Sequence, residues 1–297
     1  MKILNFGSCN IDYVYSVQHA VREGETISSH HREVFAGGKG LNQSVAAARA
    51  GGKVYHAGVI GNDGNFLKEM LTESGADVSF LRKEDCAGGH AVIQVNASGN
   101  NCIIVYPGTN AMVSKAQVDE VLSHFEAGDL VMLQNEISQV PYIIDKAYRK
   151  GLRVVFNPSP FEKELKNIDL KKIAYLLLNE TEAMELTGSD DPRAILDHCR
   201  EHCPDTAVLL TLGSKGSVYS DAAECFVTPA RKVRAVDTTA AGDTFTGYFT
   251  AMIAEGKSAK EAVELATVAA ALSVMRQGAA PSIPAIDDVF HAKDNMI

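Results

Sequence analysis

Along this chain, apolar runs rich in β-formers alternate with segments whose apolar residues recur at helical spacing. The runs predict strands at 3–6, 54–60, 130–133, 154–156, 174–178 and 207–212. The periodic segments predict helices at 41–50, 66–74, 142–150, 181–186 and 192–202. Strand, helix and strand in repetition is the pattern of a mostly parallel sheet covered by helices on its faces. Two Ala-rich helices close the chain. One starts near Gly242 and stops before Gly256; the next follows Ser258, a predicted N-cap, and runs to about Arg276 ahead of Gly278 and Pro281.

Two stretches break the rhythm, at about 11–35 and 89–106. They hold short alternating runs such as Tyr13-Val14-Tyr15-Ser16-Val17, and the second carries a polar turn, Asn96-Ala97-Ser98-Gly99-Asn100-Asn101, between apolar arms. Strands without intervening helices imply a small antiparallel sheet, inserted in two pieces into one α/β domain over 1–297. Such a sheet could cover a site or meet another subunit. No linker, low-complexity tail or 20 to 50-residue repeat divides the chain.

At 297 residues, 46% hydrophobic and 22% charged, the chain can bury a large core. Its 28 Lys plus Arg against 37 Asp plus Glu leave a net charge of −9, which gives nucleic acid or an anionic membrane no electrostatic support. An anionic ligand must therefore be held locally. No run approaches the ~18 apolar residues of a membrane span, and the opening MKILNFGSCNID is too short an apolar stretch for a secretory signal, so a cytoplasmic location is expected. The six cysteines lack C-x-x-C spacing and read as reduced thiols.

Four stretches could carry chemistry. In Val236-Asp237-Thr238-Thr239-Ala240-Ala241-Gly242-Asp243, small residues sit on a helix start, where unpaired N–H groups and the helix dipole favour an anion. Asp243 could then act as a base toward an incoming hydroxyl; for an isolated helix start, a capping aspartate is the commoner role. In Gly37-Gly38-Lys39-Gly40-Leu41-Asn42-Gln43, backbone donors, the Lys39 ammonium and the Asn42 amide could converge on a hydroxyl-rich ligand, or form only a glycine turn with a solvated lysine. The spacings of a Walker A loop and of G-x-G-x-x-G are both absent. Asn179 and Glu182, at i and i+3 after an apolar run, suit either a hydrated Mg²⁺ on a nucleotide or a capping box. Thr211-Leu212-Gly213-Ser214-Lys215-Gly216 is a strand running into a turn on which a flat or anionic ligand could lie. His198-Cys199 and His202-Cys203 put like pairs at i and i+4, but neighbours on a helix point ~100° apart, which argues against a shared metal ion.

In this order, together with Gly7-Ser8-Cys9-Asn10-Ile11-Asp12, these pieces resemble the PfkB carbohydrate kinase family in its ribokinase branch, over essentially the whole chain. The resemblance implies a ribokinase-like three-layer αβα fold with a β-sheet lid, and an ATP-dependent sugar kinase. D-ribose, phosphorylated at its 5-hydroxyl, is the first substrate expected; another sugar, a nucleoside, or a non-catalytic binding role are the alternatives. It further implies a sugar held by Asn10, Asp12, Gly38, Lys39, Asn42 and Glu136, with Asp243 as base and an anion hole at Ala240, Ala241, Gly242 and Asp243. ATP would lie along Asn179, Glu182, Thr211, Gly213, Ser214, Lys215, Gly216 and Gly242, with Mg²⁺ near Asn179 and Glu182. A K⁺ site is implied at Asp237, Thr239, Ser273, Arg276, Gly278 and Ser282, and a homodimer through the lid. The chain departs from the branch's usual pattern at Ile11 and in Tyr106-Pro107-Gly108-Thr109-Asn110, positions that border the sugar.

Overall fold

A strand that is apolar throughout, rather than at alternate positions, must be covered on both faces. In the computed structural model, which describes residues 1–295, the apolar runs are covered in this way. The chain opens with β1 (Lys2–Phe6), β2 (Asn10–Ser16), β3 (His31–Gly37), α1 (Lys39–Arg49), β4 (Lys53–Ile60) and α2 (Asn65–Glu73). Next come β5 (Asp77–Lys83), β6 (Gly89–Val95), β7 (Asn101–Tyr106), α3 (Lys115–Ser123), β8 (Leu130–Leu133), α4 (Val140–Arg149) and β9 (Arg153–Phe156). The rest comprises β10 (Tyr175–Asn179), α5 (Glu180–Thr187), α6 (Pro192–His202), β11 (Ala207–Thr211), β12 (Ser217–Ser220), β13 (Cys225–Thr228), α7 (Ala241–Ala254), α8 (Ala259–Ser273) and α9 (Ile286–Asn295).

The large sheet has the order β13-β12-β11-β10-β9-β8-β1-β4-β5. It is parallel from β11 to β5, and the hairpin β12–β13 adds two antiparallel strands at one edge. Alternate residues of each strand supply two separate cores. Ile3, Met132, Val155, Leu177 and Leu209 pack with α1, α7 and α8 on one face. Leu4, Val131, Val154, Leu176 and Val208 pack with α3, α4 and α6 on the other.

The small sheet has the order β3-β2-β6-β7, and it is mixed rather than purely antiparallel, because β2 pairs with β6 in parallel. Its two pieces leave the large sheet after β1 and β5, strands that both run parallel to β4, so both enter the small sheet in the same direction. The last long helix is also shorter than its periodicity suggests. α8 ends at Ser273, and the Val274 carbonyl turns to accept the backbone N–H groups of Val236 and Asp237. Ser258 is its N-cap, in a capping box with Glu261.

On α6 the like pairs face different ways. The His198 and His202 rings stack at 4.1 Å toward the surface, whereas Cys199 and Cys203 are buried, with the Cys203 thiol donating to the Cys199 carbonyl.

Candidate active site

β1 lies between β4 and β8, and the chain winds outward from this point in both directions. Such a switch leaves a crevice beyond the carboxyl ends of the strands. Polar residues gather there: Ser8 and Asn10 after β1, Gln134 and Glu136 after β8, Asn157 after β9, Asn179 ending β10 and Thr211 ending β11. The N-terminal end of α1 bonds to Glu136 and Asn157, and that of α7 meets α1 through Asn42 and Asp243 and lines one cleft with Asn157, Asn179 and Thr211.

α7 is entered through Ala240, a left-handed residue (φ 59°) whose side chain cannot cap, so the first-turn amides lack a side-chain acceptor. Ala241 N–H turns back to the Thr238 carbonyl at 3.3 Å; Gly242 and Asp243 follow it in the turn. Asp243 is not a cap. Its buried carboxylate accepts from Asn42 Nδ2 at 3.1 Å on Oδ2 and from Gln43 Nε2 at 3.0 Å on Oδ1. Those contacts need α1 and α7 to lie close together, and Gly247 permits it: a Cβ there would sit 2.4 Å from the Ala46 Cβ and 2.6 Å from the Gln43 carbonyl oxygen.

Beside Asp243 lies a second cluster. Gly38 enters α1 at φ 93°, and its position is crowded by the backbone of Asn10, so only glycine fits without strain. Glu136 accepts from the Lys39 backbone N–H at 2.9 Å and from the Ser8 hydroxyl. Burial, opposed by the nearby Lys39, leaves the Glu136 carboxyl above its ordinary range. Asp12, on the crevice side of β2, is pushed up to about 7 by burial and then by the charges of Glu136 and Asp243. Burial works against the charge on Lys39, but Asp243, Glu136 and Glu182 outweigh it and raise its pKa. Asn10 and Asn42 are buried, and Asn42 Oδ1 has no protein partner among the described residues. Carboxylates, amides and one ammonium gathered in this way can grip several hydroxyls at once.

On the other side of Asp243 a cleft of about 240 Å³ is lined by Lys39, Asn157, Asn179, Glu182, Gly242 and Asp243. Through Thr211, Thr238, Ala241 and Gly242 it continues into a groove of about 350 Å³. Gly213, Ser214 and Gly216 line one wall of the groove, and Phe245, Ala270 and Val274 form an apolar wall. A polar cleft joined to an apolar slot suits a ligand with a charged tail and a flat body. Lys215 lines neither; its ammonium lies 3.6 Å from the Glu180 carboxylate. Asn179 and Glu182 form a full capping box on α5, and Asn157 also donates to Glu182 at 3.3 Å. The capping role and a role toward a ligand therefore coexist, since both residues still line the cleft.

Ahead of α7, Asp237 Oδ1 accepts from the Thr239 N–H and hydroxyl, and Oδ2 from the Gly278 N–H at 2.9 Å. Burial opposes its charge, but these donors hold the carboxyl below the usual range. The Ser273 and Ser282 hydroxyls donate to backbone carbonyls of Ala270 and Ala279, and Arg276 lies 3.4 Å from Asp288.

Sequence reasoning passed over Gln43, Gln134, Asn157, Ser8 and Asn110 as individual site residues. Gln134 and Asn157 did carry a signal, because each is the first polar residue after a fully apolar strand end, where ligands of parallel sheets bind.

Comparison with known proteins accords with this geometry. The profile described as pfkB family carbohydrate kinase matches residues 1–286. A ribokinase of Haemophilus influenzae is 36% identical over 287 residues, 94% of each chain. The crystal structure of a Cryptococcus neoformans ribokinase in complex with ADP superposes with a TM-score of 0.88 at 34% identity, covering 98% of this chain and 99% of that one. An Arabidopsis thaliana ribokinase complexed with ribose and ATP gives a TM-score of 0.85 at 31% identity, with 98% of both chains covered.

Proposed function

The chain belongs to the PfkB family of carbohydrate kinases, and on that premise we propose that it transfers the γ-phosphoryl group of ATP to the 5-hydroxyl of D-ribose. One observation carries the reading: the Asp243 carboxylate stands between the hydroxyl-binding cluster and the polar cleft that leads to the apolar groove. Ribose would be held by Asn10, Asp12, Gly38, Lys39, Asn42 and Glu136. ATP would lie with its base in the groove and its phosphates toward Gly242.

Asp243 accepts the proton of the attacking hydroxyl while the new P–O bond forms and the bond to the β-phosphate breaks. The N–H groups at the start of α7 and the Lys39 ammonium hold the negative charge of the transferring group. Donors fixed in a helix start need little reorganisation at the moment of transfer.

Two ions fit the residues present. Both Glu182 oxygens already accept hydrogen bonds, which suits a Mg²⁺ kept at Asn179 and Glu182 through its own waters; bound there, it would neutralise phosphate charge. The ionised Asp237 ties the 237–239 loop to Gly278, and K⁺ would be held beside this tie by oxygens of Asp237, Thr239, Ser273, Arg276, Gly278 and Ser282. Arg276 would contribute only its carbonyl.

β7 is an edge strand with all six residues exposed, among them Ile103, Ile104, Val105 and Tyr106. An uncovered apolar edge invites pairing, and a second copy of this chain is the proposed partner, with the two lids as the interface. ATP supply and six unbridged cysteines agree with work in the cytoplasm. The test is a panel of ribose, deoxyribose, fructose and adenosine with Mg-ATP, with and without K⁺. Ribose should give the highest kcat/KM and K⁺ should raise it; ADP release independent of any acceptor would overturn the reading.

A further inference from the structure

We infer that Gln43, held in place by Gln134, is a positioning residue for the Asp243 carboxylate; the inference rests on the kinase reading above. Gln43 is fully buried and Gln134 is 1% exposed, and neither lines the cleft. Gln43 Nε2 donates both of its hydrogens, one to Asp243 Oδ1 at 3.0 Å and one to Asn157 Oδ1 at 3.2 Å. Its Oε1 accepts from Gln134 Nε2 at 2.6 Å, and that nitrogen also reaches Asn5 Oδ1 at 3.2 Å.

The direction of this relay follows from its far end. Asn5 Nδ2 donates to the Gly40 carbonyl at 2.7 Å, and a carbonyl can only accept. Asn5 must therefore turn its oxygen to Gln134, Gln134 must turn its nitrogen to Gln43, and Gln43 must turn its nitrogen to Asp243. Reversing any one amide would set oxygen against oxygen or nitrogen against nitrogen. A backbone carbonyl at the start of α1 and the carboxylate of the base, both acceptors, thus fix the same orientation of Gln43 from the two ends.

The arrangement has a cost that packing alone would not incur. Gln134 Oε1 is buried without a protein partner among the described residues, whereas its Nε2 serves both Gln43 Oε1 and Asn5 Oδ1, acceptors that an apolar side chain would leave without this donor. Retaining the amide makes physical sense if its donor is needed to orient Gln43. Through Asn157, the same Gln43 nitrogen is linked to Glu182, so the base and the residue beside the phosphate cleft share one anchor. With Asn42 on Oδ2 and Gln43 on Oδ1, rotation of the Asp243 carboxylate is blocked from both sides.

The test compares wild type, Gln43→Met, Gln134→Met and the double variant, reading kcat, the KM of ribose and of ATP, and the melting temperature. Losing one hydrogen bond to a charged group should lower kcat of Gln43→Met about 10- to 100-fold, with both KM values within about twofold. Gln134→Met should lower kcat by about 3- to 10-fold, and the double variant should match Gln43→Met, because Gln134 acts only through Gln43. A lower melting temperature with kcat unchanged, or kcat losses that multiply in the double variant, would overturn the inference. Should Gln43→Met not fold, Gln134→Met, which leaves the contacts of Asp243 intact, decides by the same kcat criterion. A wild type without ribose-dependent ADP release would instead defeat the kinase reading itself.

Discussion

Asn110 donates its side-chain amide to Asn10 Oδ1 at 2.7 Å and accepts the Cys9 N–H at 3.1 Å. A single buried residue after the last strand of the small sheet thus fixes the point where its first strand leaves the large sheet. Asn110→Ala would leave a buried acceptor and a buried N–H unpaired, a loss of about 1–3 kcal/mol for each. The expected result is a lower melting temperature and a ribose KM raised about tenfold, with the ATP KM changed far less; steady-state kinetics with each substrate varied in turn checks it.

Asp12 gives the ligand-free protein a pH dependence of known sign. Its pKa rises from the ordinary 3.8 to about 7 on folding, so between those values the folded chain holds a proton that the unfolded chain has lost. Stability from this group is therefore full below the lower value and declines as pH rises toward 7. Asp12→Asn removes that decline. Its melting temperature should match wild type near pH 4, exceed it increasingly up to about pH 7 and keep a constant lead above, while ribose affinity falls; calorimetry across this range measures the difference.

The contact between α1 and α7 rests on Gly247. Gly247→Val would force the helices apart near Ala46 and Gln43, an overpacking cost of about 1–3 kcal/mol. Because Asn42 and Gln43 reach Asp243 across this contact, kcat should fall along with the melting temperature. Full activity in a folded Gly247→Val protein would show that the spacing does not matter to the base.

How far the sequence discloses this molecule depends on the range of the interactions. The buried strands of the large sheet are legible because burial on both faces demands unbroken apolar runs, as in Leu130–Leu133. β5 is not, because an exposed edge strand carrying Asp77, Arg82 and Lys83 keeps no such run. The parallel pairing of β2 with β6 depends on where two distant insertions leave the sheet, which no local pattern encodes. In the site, the small-residue helix starts at Gly38 and Ala240 stand out because their backbone geometry restricts residue type. Gln43 meets Gln134 and Asn157 across 91 and 114 residues, and an amide in a helix gives no sign of such partners. Nor does a turn motif tell which way its lysine leaves, and Lys215 leaves toward Glu180.

The exposed edge of the small sheet predicts assembly. Ile104, 64% exposed on β7, lies at the centre of the proposed interface. Ile104→Lys places a charge on that edge and should yield monomers by analytical ultracentrifugation at concentrations where wild type is dimeric. A wild type that sediments as a monomer throughout would remove the interface.

Ribose binding by calorimetry and ribose-dependent ADP release, measured side by side on wild type and Asp243→Asn, test the central claim most directly. The account predicts that the variant still binds ribose while kcat drops by about 10² or more, because an amide cannot take the proton of the attacking hydroxyl. Turnover close to wild type in Asp243→Asn would contradict it.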